Sequence, residues 1–193
     1  MDVKQGLPII PFASPREWEA WLATHHTTST GLWLKIAKKD AGTDTVSYAE
    51  SLDVALCYGW IDGQKAAFDE QFWLQRFSPR GPKSKWSQVN RDKVAALIEQ
   101  GRVQPAGLAQ VEQAKQDGRW DAAYASARTA TIPDDLQRLL DQHPAAQALF
   151  STLDSANRYA ILYRLQDAKK PETRARRLAQ FIAMLDEGKK LHP

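Results

Sequence analysis

Sulfur is scarce in this chain. Its 193 residues hold one cysteine, Cys57, and two methionines. No intramolecular disulfide can form, and the matching expectation is a reducing compartment. The four histidines show no HxxxH or HExxH spacing, and one cysteine builds no thiolate cluster, so neither a metal site nor a cofactor is expected. The phosphate-cradling GxxxxGK[ST] loop and the GxSxG nucleophile elbow are both missing. No apolar run approaches the ~20 residues that cross a bilayer, so no membrane insertion is expected. The leading MDVKQGLPIIPF has neither a basic start nor a long apolar stretch, and a signal peptide is not expected either. Internal repeats and low-complexity runs are also lacking. These absences describe a soluble cytoplasmic protein.

What is present suits a packed domain. A hydrophobic share of 43% beside 25% charged residues is enough to bury a full core without cross-links. The length fits one domain, or one domain with a small helical appendage. Net charge is +3, and its location matters more than its size. Residues 1–127 carry 15 basic and 15 acidic side chains, whereas 128–193 carry 11 and 8. Between positions 76 and 93, Arg76, Arg80, Lys83, Lys85, Arg91 and Lys93 face only Asp92. Such a cluster draws an anion into a cleft but falls short of a dedicated nucleic-acid surface.

Turn and cap signals divide the chain. Ser14, Pro15 and Glu17 open a helix carrying Trp18, Trp21 and Leu22. Ser47 and Glu50 open a second, with Leu52, Ala55 and Leu56, which Gly59 closes. Between them GLWLKIAKK alternates as a half-buried strand, with Leu32, Leu34 and Ile36 on one face. WIDGQKAAFD and QFWLQRF read as two further strands joined in a hairpin around Asp69–Gln71. After Pro82 helices return. One is capped by Ser84 or Ser87, carries Val89, Val94, Leu97 and Ile98, and closes at Gly101. Another spans 106–117 with Leu108, Val111 and Ala114. In the last third Pro133, Pro144 and Pro171 each mark a helix start, and the final helix shows a stripe of Leu178, Phe181, Ile182 and Leu185. The reading is an α+β fold: a small antiparallel sheet flanked by helices over 1–127, then a helical unit over 128–193, with the boundary at Arg128–Ile132.

The stretch 57–90 gathers the candidate site residues. Trp60 and Asp62, two apart on a strand, share a face. They form either a stacking platform beside an acceptor, or a core ring beside a turn-capping carboxylate. Arg76, Arg80 and Lys83 surround a proline- and glycine-stiffened loop leading into a helix N-terminus, a ready anion site. Arg80 either grips a carboxylate or phosphate or pins the loop through Asp62 or Asp69. Ser84 and Ser87 suit capping, Trp86 serves as staple or lid, and Asn90 faces the cleft. Catalytic arrangements do not emerge. His25 and His26 are adjacent at a helix end, and Cys57 falls late in an apolar helix, where thiols are mostly inert. No reaction is required by these residues.

At ALCYGWIDG, RFSPR, SKWSQVN and AKKPETRARRL the chain resembles the YdeI/OmpD-associated family, also called bacteriocin-protection proteins. The resemblance runs from about Phe12 to Leu185. It implies a bacterial cytoplasmic protein with a YjbR/CyaY-like α+β N-terminal part, and a link to stress or antimicrobial-peptide resistance. It brings no catalytic residues. The C-terminal stretch Pro171, Glu172, Thr173, Arg174, Arg176 and Arg177 looks like the family's tail, in which Thr173 and the arginines dock the tail against the core rather than bind a partner. The frataxin-type likeness raises iron, but the acidic ridge that iron needs is absent from this charge-balanced stretch.

Two functions follow as expectations. One is a ligand-binding protein whose cleft holds a small anionic or aromatic molecule, with Trp60 and Trp86 stacking, Arg76 and Arg80 holding the anion, and Asp62 and Asn90 orienting it. The other is an interaction module whose basic C-terminal helices, including Lys169, Lys170, Arg174, Arg176 and Arg177, meet a protein or nucleic acid.

Overall fold

The computed structural model describes residues 2–192. The chain forms a mixed α+β structure of two units, Met1–Trp86 with Asn90–Ala122, and Ser87–Val89 with Ala123–Pro193.

The first unit is built on a five-stranded sheet in the order β1-β2-β3-β5-β4. Its strands are β1 (Val3–Lys4), β2 (Leu7–Pro11), β3 (Leu32–Ala37), β4 (Trp60–Ala67) and β5 (Phe72–Pro79). β4 and β5 form the expected antiparallel hairpin, with a register shift between Asp62 and Lys65. The sheet is nonetheless mixed, because β2 runs parallel to β3. The connection between them is helix α1 (Pro15–His25), and a parallel pair needs such a crossover. β2 leaves little trace in the sequence because Pro8 and Pro11, which lack an N–H for the ladder, flank only two isoleucines, and β1 is only two residues long.

Helix α1 starts where Ser14 accepts a hydrogen bond from the Glu17 amide, and α2 (Tyr48–Cys57) starts with both arms of the Ser47/Glu50 capping box closed. The indole N–H of Trp18 donates to the Ser51 carbonyl at 3.0 Å, tying α1 to α2. Trp18 also meets Phe77 of β5, with ring centres 5.7 Å apart. Leu32 pairs across the sheet with Phe77 and Leu34 with Gln75, so the alternating face of β3 lies under these helices. The other face holds a smaller cluster of Ile9, Trp33 and Leu74, and Trp33 donates to the Lys4 carbonyl at 3.1 Å. β3 is therefore buried on both sides at Trp33.

Helix α3 spans Gln88–Glu99 and α4 spans Pro105–Gln116. Val94, Leu97, Val111 and Ala114 are buried, while Ile98 and Leu108, expected inside, are exposed. α2 and α4 approach so closely that a Cβ on Gly107 would stand 2.4 Å from the Cys57 carbonyl oxygen. Gly59 follows α2 at φ +73°, and a Cβ there would lie 2.9 Å from the Ala106 carbonyl. Any other residue at either position would force the two helices apart.

The second unit packs four helices, α5 (Asp134–Gln142), α6 (Pro144–Thr152), α7 (Ser155–Gln166) and α8 (Pro171–Asp186). Pro144 and Pro171 occupy first-turn positions, while Pro133 precedes the first turn of α5 as its cap. Leu136, Leu140, Phe150, Ile161, Leu165 and the expected α8 stripe of Leu178, Phe181, Ile182 and Leu185 share one core. Segment 87–89 joins this unit through the Gln88 amide, which donates to the Tyr124 carbonyl at 2.9 Å. Among the described residues no helix is long and apolar enough to cross a membrane.

Candidate functional site

The loop after β5 places the basic and aromatic groups. Its backbone is closed at one end by the Arg80 amide donating to the Gly59 carbonyl at 3.0 Å. A turn follows in which the Ser84 amide donates to the Gly81 carbonyl and the Gly81 amide to Ser84 Oγ, both at 3.0 Å. Pro82 sits at the turn position where its fixed φ fits. Ser84 thus closes a turn and does not start α3, which begins just after Ser87.

The turn folds the Arg80 side chain back over the loop. Its guanidinium carbon stands 3.5 Å from the centre of the Trp86 ring, and Nη1 donates to the Lys85 carbonyl at 3.2 Å. Arg80 is only 5% exposed and Trp86 2%. Stacking suits both partners here, because a guanidinium is weakly hydrated and lies flat on an indole. Trp120 meets Trp86 edge-on at 5.1 Å. Next to it, Arg119 donates through Nη1 to the Ser84 carbonyl at 2.8 Å, while Asp117 holds its Nε at 2.8 Å. Two guanidinium groups therefore brace neighbouring carbonyls of one short loop. Arg119 and Trp120 escape a motif reading because they lie beyond two helices. The trace they leave is a second Arg–Trp pairing, directly after the helix-closing Gly118.

The Trp86 ring carries an unmatched group. Its indole Nε1 is buried and meets no acceptor among the described residues. Such a donor costs about 1–3 kcal/mol if nothing satisfies it. The buried Nε of Arg76 and Oε1 of Gln110 are unmatched in the same way.

The remaining candidates lie apart from this loop. Trp60 is 1% exposed, donates to the His26 carbonyl at 3.1 Å, and meets Trp18 and Trp21 edge-on at 6.1 and 5.8 Å. It belongs to the core, and its ring offers no open face to a stacking partner. Asp62 is half-buried and accepts from the Tyr48 hydroxyl at 2.8 Å. Register pairs Asp62 with Phe77, so the adjacent Arg76 projects from the opposite face of the sheet, where its stem passes Gly63. Asp62 and Arg76 therefore do not converge. Asn90 is buried on the first turn of α3.

Cys57 is buried, and loss of solvation pushes its thiol up to about 11, with Arg102 opposing this and Glu19 and Asp53 adding to it. It is an unreactive thiol. No cluster of three or more His, Cys, Asp or Glu side chains with metal-binding geometry occurs among the described residues.

The C-terminal arginines are engaged within their own unit. Arg174 donates to both Asp135 oxygens at 2.6 and 2.9 Å and to the Leu165 carbonyl at 2.7 Å. Arg177 donates to the Arg164 carbonyl and lies 3.9 Å from Asp167. These two side chains dock α8 onto α5 and α7, inside the C-terminal unit, whereas the tail reading expected docking against the core.

Comparison with known families divides the chain similarly. Residues 10–110 match the model described as a domain of unknown function (DUF8412). Residues 129–188 match the model described as bacteriocin-protection, YdeI or OmpD-associated. The resemblance expected from Phe12 to Leu185 is thus carried by that second model only in the C-terminal part. No curated protein and no solved structure matches the chain.

Proposed function

We propose, from the premise that the chain belongs to the family of the domain of unknown function (DUF8412) matched over residues 10–110, that the Arg80–Trp86 loop binds a small oxyanion. The observation that carries this reading is the buried, unmatched N–H of Trp86 beneath a stacked guanidinium. An acceptor supplied from outside would satisfy that N–H, and beside Arg80 the favoured acceptor is a carboxylate or phosphate oxygen. Arg119, from beyond α4, braces the same loop through the Ser84 carbonyl while paired with Asp117. Asn90, at the start of the next helix, orients the ligand, and Arg76 contributes its field from the far side of the sheet.

The ligand is a metabolite-sized anion with a flat or aromatic portion, and the protein is a binder with no catalytic step in this reading. The description of the C-terminal family, bacteriocin protection, supports a role for that binding in resistance to antimicrobial peptides, exercised in the cytoplasm. A nucleic-acid role for α8 gains no support, because Arg174 and Arg177 are tied to Asp135, Leu165 and Arg164.

Thermal shift of the full chain tests the reading, with phosphate, citrate, benzoate, indole-3-carboxylate and adenosine monophosphate as probes. An oxyanion at ~100 times its dissociation constant stabilises by ~2.7 kcal/mol. Trp86→Phe keeps an aromatic face for Arg80 but removes the N–H together with the pyrrole part of the indole, and it should weaken that anion by roughly 10- to 100-fold, the worth of a charge-assisted bond. Arg80→Lys keeps the charge but loses the flat stack and should weaken it too. The reading fails if no anion stabilises the wild type, or if both variants respond as the wild type does.

A further inference from the structure

The second unit carries a groove far removed in chemistry from the Arg80 loop. Its volume is about 470 Å³, within the ~300–1,000 Å³ of small-molecule sites. The groove runs along α8, where Ala175, Ala179 and Ala183 recur every fourth residue and so share one side of the helix. Their methyl groups leave the space open, and Leu178, Ile182 and Leu139 of α5 supply apolar walls. The stretch of α8 from Ala175 to Asp186 rises ~16 Å at 1.5 Å per residue, enough for an extended tail.

One end of the groove is polar. His143 Nδ1 stands 2.7 Å from Asp186 Oδ2, and the Ala146 amide donates to Asp186 Oδ1 at 3.1 Å. An ionised carboxylate can only accept, so Nδ1 carries the hydrogen, and in the neutral ring Nε2 keeps its lone pair. Two helices end here: α5 closes at Gln142 with His143 as its cap, and α8 closes at Asp186. Each C-terminus adds partial negative charge, and Asp186 adds a full one. The N-terminus of α6 offsets part of this. Among the described residues no lysine or arginine lines the groove.

We propose that this groove binds a cationic amphiphile, a primary amine on an aliphatic or aromatic tail. The ammonium group lies beside Asp186 and donates to Nε2 of His143, and the tail lies along the alanine side of α8. A carboxylate head would meet the charge of Asp186 and two helix C-termini, and a neutral head would gain only the hydrogen bond.

Calorimetric titration of the full chain at pH 8 tests this. The probes are decylamine, decan-1-ol and decanoate, each below its solubility limit or micelle-forming concentration. Decylamine should saturate one site at least tenfold more tightly than decanoate, with decan-1-ol between them. Ala179→Leu fills the groove without touching the polar pair and should abolish binding of all three. Asp186→Asn keeps an acceptor for the Ala146 amide and should cut the preference for amine over carboxylate at least fivefold. Arg80→Ala should bind decylamine as the wild type does, which separates this site from the oxyanion loop. Any other order of affinity, an unaffected Ala179→Leu, or no saturable binding overturns the proposal. So does self-association of the wild type that Ala179→Leu removes, since that would assign the groove to a second copy of the chain.

Discussion

Trp60 and Trp86 are both almost closed to solvent, yet their indole N–H groups end differently. Trp60 reaches the His26 carbonyl, and Trp86 reaches nothing among the described residues. The first is therefore a packing residue, and its truncation has a definite consequence. Trp60→Ala would open a void against Trp18 and Trp21 and strand the His26 carbonyl, lowering stability by ~3–5 kcal/mol in urea denaturation. A loss below ~1 kcal/mol would show that the ring is not held as described. Both tryptophans read alike in the sequence, each a large ring beside polar and turn residues. What separates them is which neighbours cover the ring, and Trp18, Trp21 and Trp120 lie far along the chain from their partners. Spacing reports which side chains share a strand face. It carries no information on whether a distant helix has already taken that face. For the same reason Arg80 was legible as a cation of this loop, while its hold on the Lys85 carbonyl and its company with Arg119 were not.

Elements were more legible than sites wherever the deciding chemistry is local. The Ser14 and Ser47 caps, the Gly59 stop and the proline-led helices each act within one turn of chain, so the residues that specify them are neighbours in sequence. β1 and β2 were not legible, because the proline-flanked β2 becomes a strand only when β3 offers it a partner, and the two residues of β1 only when β2 does. Tertiary ties between elements were also hidden. The strongest example is Arg174 of α8 gripping Asp135 of α5 with two nitrogens. That grip, with lesser help from a backbone amide, holds the Asp135 carboxyl below its usual range against the opposing effect of burial. A carboxyl whose pKa is lower folded than unfolded contributes stability above its unfolded pKa of ~3.9 and loses it as pH falls through the folded value. Arg174→Met should therefore cost stability by a constant amount from pH 5 to 7. The gap from wild type should narrow below about pH 4, where the unfolded carboxyl (~3.9) is mostly protonated. Parallel curves down to pH 2 in acid denaturation would mean that the pair contributes nothing to the acid limb.

At the scale of the whole molecule, the chain's excess positive charge falls in the second unit, where 11 basic residues outnumber 8 acidic ones over 128–193. That excess suggests a surface for polyanions until the individual side chains are placed. Arg174 and Arg177 are spent on holding helices together, and the groove on α8 is negative at its polar end. Net charge of a segment and the field inside its concavities are separate quantities, because helix termini and a carboxylate that line a groove act at short range. The unit also has a core of its own, drawn from all four of its helices. Its docking arginines find their partners on α5 and α7, within the same unit. A polypeptide of residues 123–193 should accordingly fold alone, without the pairing of Gln88 with Tyr124. Chains of that length bury only about 60–70% of their surface and are marginal, so the expected signature is a helical circular-dichroism spectrum with a cooperative but low melting transition. Binding of decylamine by that polypeptide, with the same discrimination against decanoate, would place the groove and its stability in one autonomous body. A helical spectrum that melts without cooperativity would show instead that the four helices lack a fixed core when the first unit is absent.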